Sequence, residues 1–231
     1  MVMNRAQQIH LQLEKARREV LPAKLIAVTK YSPVEEVVFA YHADQIDFGE
    51  NRVQDLAEKA HFFEQENLSK VQWHFIGHLQ SNKVKELFKI PHLFAIHSVD
   101  SLKLVHELIK RSAELSQRPC KLFFQINTSL EDEKGGFTDL DELRESIKLI
   151  LNDRSAKEAF EIYGLMTMAT IRTEDVEGEA HRCFKSLQDT KHLLDQELHL
   201  NLKLSMGMSQ DHHIAKLYGA DFVRIGSQIF K

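Results

Sequence analysis

Short apolar runs alternate with amphipathic stretches along the whole of this chain. The first run, Leu25-Ile26-Ala27-Val28, lies between Lys24 and Thr29. Its β-branching and continuous apolarity predict a short strand buried on both faces in a parallel sheet. Similar runs predict seven more strands, at 46–51, 71–77, 93–99, 121–127, 160–167, 202–207 and 222–226. Between them the period changes. Ile9, Leu13, Ala16 and Val20 recur at spacings of four, three and four, one face of an amphipathic helix ahead of the first strand, expected to cap the domain. Ser32-Pro33 followed by Glu35 and Glu36 predicts a helix start, with Ser32 as cap, Pro33 in the first turn and Val34, Val37, Val38 and Tyr41 as the apolar face. Further helices are predicted over about 53–63, 81–88, 102–115, 140–151, 175–194 and 211–217. The charged run from Glu131 to Gly136 predicts a solvated, mobile loop with a Gly-Gly turn.

Strand and helix alternate throughout, with no Pro/Gly/Ser-rich linker and no low-complexity run. About eight β/α units in a chain near the usual ~250 residues predict an α/β fold of TIM type, a single (β/α)8 barrel domain over residues 1–231 with an N-terminal capping helix. A doubly wound open sheet is the alternative, and the missing GxGxxG argues against its dinucleotide-binding form.

Composition narrows the partners. Thirty basic against 34 acidic residues give a net charge of -4, with the basic residues scattered among acidic ones. Neither a nucleic-acid footprint nor an anionic-membrane partner is expected. Cys120 and Cys183 are far apart and outside any CxxC, which predicts reduced thiols of a cytoplasmic protein. Arg5, Glu14, Lys15, Arg17 and Arg18 interrupt the N-terminal apolar positions and argue against a signal peptide. No run approaches the ~18 to 20 apolar residues of a spanning helix.

The candidate chemistry sits where the predicted strands end. Lys30 closes the first strand, at the end of a barrel or open sheet where chemistry is placed. One reading is a rim lysine with its stem packed and its head in water. The other is an amine that condenses with an aldehyde as a Schiff base. His74 and His78 are four apart, but Gly77 and the strand pattern between them argue against a metal pair on a helix. Asn51 and Asn127 are also polar residues at strand ends. Barrels bind phosphate in the loops after the seventh and eighth strands, and here those loops read Ser205-Met206-Gly207-Met208-Ser209 and Arg224-Ile225-Gly226-Ser227. Each holds a glycine that lets the backbone approach an anion and a hydroxyl that can donate to it. The same residues also suit tight turns and a helix cap. A phosphorylated aldehyde would use the lysine and the cup together.

Several motifs together carry a resemblance: Leu25 to Lys30, Phe48-Gly49-Glu50-Asn51 with Val53-Gln54, WHFIGHLQSNK from Trp73, GLMTM from Gly164, LSMGMS from Leu204 and VRIGS from Val223. In this order, over nearly the whole chain, they resemble the pyridoxal phosphate homeostasis protein family, once described as proline synthetase co-transcribed homologues. The resemblance implies the barrel of the alanine racemase N-terminal domain, with pyridoxal 5'-phosphate (PLP) held as an internal aldimine on Lys30. It implies that Arg224 faces the pyridine nitrogen, that Ser205, Gly226 and Ser227 with neighbouring amides hold the phosphate, and that Asn51 and His74 line the cofactor. The expected cofactor-binding set is therefore Lys30, Asn51, His74, Ser205, Met206, Arg224, Gly226 and Ser227, with no catalytic or metal-binding residue. An arginine keeps the ring nitrogen unprotonated and makes the cofactor a poorer electron sink than an Asp partner would.

The implied function is vitamin B6 cofactor homeostasis without catalytic turnover. The expected partners are PLP and the apo-enzymes that use it, and the protein is expected as a monomer. The alternatives are a small PLP-dependent amino-acid racemase using Lys30 and a rim His or Tyr, and a cofactor-free Schiff-base aldolase, which Arg224 disfavours. A racemase would draw an opposing tyrosine from a second domain, and none is expected after residue 231. Arg52 departs from the family's usual Tyr, Ser227 stands for a frequent Thr, and His212-His213 is atypical.

Overall fold

Residues 3–116, 119–129, 131, 133–170 and 173–231 are described by the computed structural model of the chain. Eight parallel strands form at the predicted places: β1 (Lys24–Val28), β2 (Asp47–Glu50), β3 (Gln72–Phe75), β4 (Leu93–Val99), β5 (Cys120–Gln125), β6 (Phe160–Met166), β7 (Lys203–Ser205) and β8 (Phe222–Ile225). Each pairs with its neighbour in sequence, and β1 pairs with β8 from Lys24↔Phe222 to Ala27↔Ile225, so the sheet closes into a barrel. That pairing rules out the open sheet.

The helices are α1 (Arg5–Val20), α2 (Val34–His42), α3 (Val53–Gln65), α4 (Val84–Leu87), α5 (Leu102–Lys110), α6 (Leu140–Asn152), α7 (Arg154–Ala159), α8 (Val176–Leu198), α9 (His212–Leu217) and α10 (Ser227–Phe230). The predicted apolar face of α1 is buried. It rests against α2, α9, α10 and β1, on the outside of the barrel beside the first strand.

Local corrections have physical causes. Pro33, not Ser32, is the cap residue of α2, because Ser32 is drawn into a turn in which its amide donates to Thr29 O. The predicted 102–115 helix stops at Lys110 and continues as a 3-10 turn, Ser112–Glu114. In the Glu131–Gly136 run, Asp132 lies outside the described residues; Glu133 and Gly135 are exposed, as expected of a solvated loop, while Glu131 and Lys134 are tethered. Asn127 Nδ2 donates to the carbonyls of Glu131 (2.9 Å) and Lys134 (3.0 Å), and Lys134 pairs with the Glu131 carboxylate at 2.6 Å. The helix α7 carries only Ala156 and Ala159 buried, too little periodicity to predict it.

Strand alternation sends one set of side chains to the helices and the other into the barrel. Outward, Phe48 and Trp73 meet Phe63 of α3, with ring centroids 5.2 to 6.2 Å apart. Inward, the apolar cluster is small: Ile26, Ala95, Phe123, Met166 and Phe222. Polar groups fill much of the remaining interior, among them Asp47, His74, His97, Ser205 and Arg224. Cys120 and Cys183 are buried free thiols, and burial pushes Cys120 up to about 12.

A buried ion pair joins β2 to α3. Lys59 pairs with Glu50 and donates to Thr29 O at 2.8 Å, while Thr29 Oγ1 donates to the same carboxylate at 2.7 Å. Replacing one member leaves the other charged and buried. Lys59→Met is expected to cost about 3 to 5 kcal/mol in urea unfolding, and a loss below about 1 kcal/mol would show the pair to be solvated.

Candidate functional site

Lys30 leaves the barrel two residues past the end of β1. The next residue, Tyr31, adopts φ 71° and the chain folds back so that Ser32 N reaches Thr29 O at 2.9 Å. A left-handed turn at a non-glycine residue costs energy and persists only where its surroundings hold it. Here the hold is Thr29, fixed from below by Glu50 and Lys59. Lys30 is thereby presented, exposed, at the mouth of a cavity of about 630 Å³ formed by loops at the C-terminal ends of the strands.

Across from β1, Asn51 follows β2 directly and its Oδ1 is buried without a hydrogen-bond partner while its residue lines the cavity. Gly77 is required beside it, since a Cβ there would stand 2.0 Å from Asn51 O. His78 borders the same opening, its Nδ1 2.8 Å from Asp100 Oδ2.

The loops after β7 and β8 close the far side. Ser209 Oγ and Ser227 Oγ lie 3.3 Å apart, and Gln228 Nε2 donates to Ser209 O at 3.1 Å. Gly226 passes close to the first strand, where a Cβ would meet Val28 O at 2.7 Å. Between these loops Arg224 reaches the cavity from below. Its Nη1 donates to Ser205 Oγ at 2.6 Å and its Nη2 to Thr167 O at 2.9 Å. Burial lowers its pKa to about 10, with Asp211 acting in the opposite direction, so it stays cationic at neutral pH. Lys30, Arg224 and Lys231 place three basic side chains in the lining, and among the described residues no Asp or Glu lines it.

Of the predicted set, Lys30, Asn51, Arg224, Gly226 and Ser227 meet around this cavity. His74, Ser205 and Met206 do not line it. His74 is fully buried inside the barrel, bonded to Asp47 Oδ1 and His97 Nε2, both at 2.9 Å. Ser205 sits under Arg224 and also contacts His97 Nδ1 at 2.9 Å. Met206 is buried in the outer shell, its amide donating to Phe222 O at 3.1 Å. The hydroxyl that joins Ser227 is instead Ser209, four residues further on. Arg52 is exposed before α3 and outside the lining.

The donor set fits a phosphorylated pyridine aldehyde. A free amine, a buried arginine, two adjacent hydroxyls and an acceptor without a donor surround one basic cavity, and each answers a different group of such a molecule. Residues 5–231 match the family described as Alanine racemase, N-terminal domain. The pyridoxal phosphate homeostasis protein of Schizosaccharomyces pombe is 37% identical over 206 residues, 89% of this chain and 82% of that protein. The chain belongs to the pyridoxal phosphate homeostasis protein family. Its human member is 36% identical over 219 residues, 91% of this chain and 78% of that protein. The solved structure of PipY from Synechococcus elongatus, with PLP bound, is 34% identical and superposes with a TM-score of 0.83, covering 96% of this chain and all of that one. Alanine racemase from E. faecalis shares the fold at TM-score 0.71 and 15% identity, over 96% of this chain and 57% of the racemase.

One buried group of this family member gives a pH signature. His97 is held well below the usual histidine range by burial first, and then by its neighbours His74 and Arg224. The unfolded chain, where histidine titrates near about 6.5, binds that proton more readily. The stability His97 contributes is therefore full above that pH and lost as pH falls below it, with a slope of up to about 1.4 kcal/mol per pH unit. Urea unfolding of His97→Phe between about pH 7 and pH 5 is expected to fall off less steeply than wild type. Parallel profiles would contradict the assignment.

Proposed function

We propose that this protein binds pyridoxal 5'-phosphate covalently through Lys30 and serves vitamin B6 cofactor homeostasis in the cytoplasm, as a monomer that supplies the cofactor to apo-enzymes. The observation that carries the reading is the convergence of Lys30, the orphaned Asn51 Oδ1, Arg224 and the Ser209–Ser227 hydroxyls on one basic cavity. The names of its curated relatives and the PLP held by PipY support it. Among the described residues no helix is long and apolar enough to cross a membrane.

The cofactor supplies an aldehyde that takes up a primary amine with loss of water. Lys30 presents that amine in the turn fixed by Thr29. Arg224 uses two of its five N–H donors on Ser205 and Thr167 and has three left for the cavity side. As a cation that does not give up its proton, it presents only donors to a ring nitrogen and leaves that nitrogen unprotonated. Ser209 and Ser227 would hold the phosphate with their hydroxyls, and the Asn51 side-chain amide would face the ring. Racemisation needs an acid and a base on opposite faces of one carbon, and the proposed role asks for neither.

Equilibrium dialysis against PLP tests this arrangement. Wild type is expected to retain one equivalent, Lys30→Ala to bind weakly and reversibly through the phosphate contacts, and retention of a full equivalent by Lys30→Ala after dialysis would overturn the role of Lys30. Ser227→Ala is expected to lose about 0.5 to 3 kcal/mol of binding, the span for one hydrogen bond to an ionised group. Unchanged affinity would place the phosphate elsewhere.

A further inference from the structure

An unbroken hydrogen-bonded chain runs up the inside of the barrel, from the first residue of β2 to the floor of the cavity. Asp47 Oδ1 meets His74 Nε2 at 2.9 Å, His74 Nδ1 meets His97 Nε2 at 2.9 Å, His97 Nδ1 meets Ser205 Oγ at 2.9 Å, and Ser205 Oγ receives Arg224 Nη1 at 2.6 Å. Five strands contribute one residue each: β2, β3, β4, β7 and β8. All five side chains are buried, the two histidines and the serine fully. The His97 ring is stacked on Phe123 at 4.1 Å and 12°, which fixes its plane, and Phe94 packs against His74 with ring centroids 5.1 Å apart.

The two ends have fixed and opposite polarity. A guanidinium only donates, and an ionised carboxylate only accepts. The three groups between them can do either, so the ends dictate the middle. Asp47 requires the proton of His74 on Nε2. A neutral His74 then accepts at Nδ1 and requires the proton of His97 on Nε2. A neutral His97 accepts at Nδ1 and takes the hydroxyl proton of Ser205, whose lone pair is left for Arg224. With an ionised carboxylate at one end and both imidazoles neutral, no other arrangement makes all four bonds. Every dipole then points the same way, and hydrogen bonds aligned in series strengthen one another in a low-dielectric interior.

We propose that His97 is a positioning residue for Arg224: by taking the Ser205 proton it turns the Ser205 lone pair to the guanidinium, and Asp47, through His74, sets that direction from the other end of the barrel. The inference deepens the proposed function, since it rests on Arg224 bordering the cofactor. None of Asp47, His74 or His97 lines the cavity, so their effect on a bound ligand passes through Arg224.

The test has two parts that fail independently. First, imidazole ¹⁵N chemical shifts of the histidine-labelled, cofactor-free wild-type protein at neutral pH report the tautomers without any ligand. His74 and His97 are expected to be neutral with the proton on Nε2, and a proton on Nδ1 of His97 would overturn the proposal. Second, PLP affinity and the absorbance band of the loaded protein are compared in His97→Phe and His97→Asn. Phenylalanine keeps the stacking and removes the acceptor, whereas the asparagine oxygen can stand near the place of Nδ1. His97→Phe is expected to lose roughly tenfold to hundredfold in affinity and to shift the band, because it loosens the Ser205 contact to the guanidinium, a hydrogen bond to a charged group. His97→Asn is expected to restore most of both. A folded His97→Phe protein with the wild-type band and affinity would overturn the positioning role. If His97→Phe does not fold, the wild-type tautomers and the His97→Asn band decide the matter, an altered band in folded His97→Asn counting against the proposal. Expected tautomers in a wild-type protein that binds no PLP would leave the relay standing and overturn the proposed function instead.

Discussion

A guanidinium inside a parallel barrel has lost most of its water, at a cost of several kcal/mol per ion even after relaxation. Arg224 bears that cost at the floor of the cavity, and much of the interior is arranged to offset it. Ser205 and Thr167 accept from it directly, Asp211 lies close enough to favour its charge, and the chain of Ser205, His97, His74 and Asp47 carries aligned dipoles away from it. The five apolar residues of the inner cluster pack among these polar groups rather than filling the barrel alone. A cation on one fixed strand also gives the cavity its sign. An anionic ligand then supplies the counter-charge that the lining itself lacks.

The second constraint acts on the lysine. The proposed role of Lys30 needs its strand end held still, and the hold on Thr29 comes from two other elements, β2 through Glu50 and α3 through Lys59. Asn51 follows Glu50 in sequence, and its backbone N–H donates to the Glu50 carboxylate at 3.3 Å. One buried ion pair thus fixes both the lysine turn and the orphaned acceptor opposite it. This couples fold stability to site geometry: α3 contributes no side chain to the lining, yet Lys59 decides where Lys30 begins its turn.

Much of this was legible in the sequence, and the limits have physical reasons. Eight apolar runs and their spacing specify the barrel, because strands covered on both faces need continuous apolarity. Lys30 and Arg224 are legible because one is a cation just past the end of such a run and the other a cation within one. The cup is harder to read. Period-two alternation turns Ser205 into the barrel, and only the turn at Gly207, with φ 91°, brings Ser209 to Ser227. His97 hides within an apolar run, and its partners lie in β3 and β7, far from it in sequence. Sequence spacing records which face a residue occupies, while its height in the barrel depends on strand tilt and register, which place His74 below the cavity.

The proposed site depends on Lys30 as the residue that takes the cofactor, and the most direct measurement is borohydride reduction of the PLP-loaded protein followed by peptide mass mapping. The predicted result is loss of the visible absorbance band together with one added pyridoxyl phosphate mass on the peptide that contains Lys30. A colourless protein that stays unlabelled in excess PLP, or a label carried by another lysine, would contradict it.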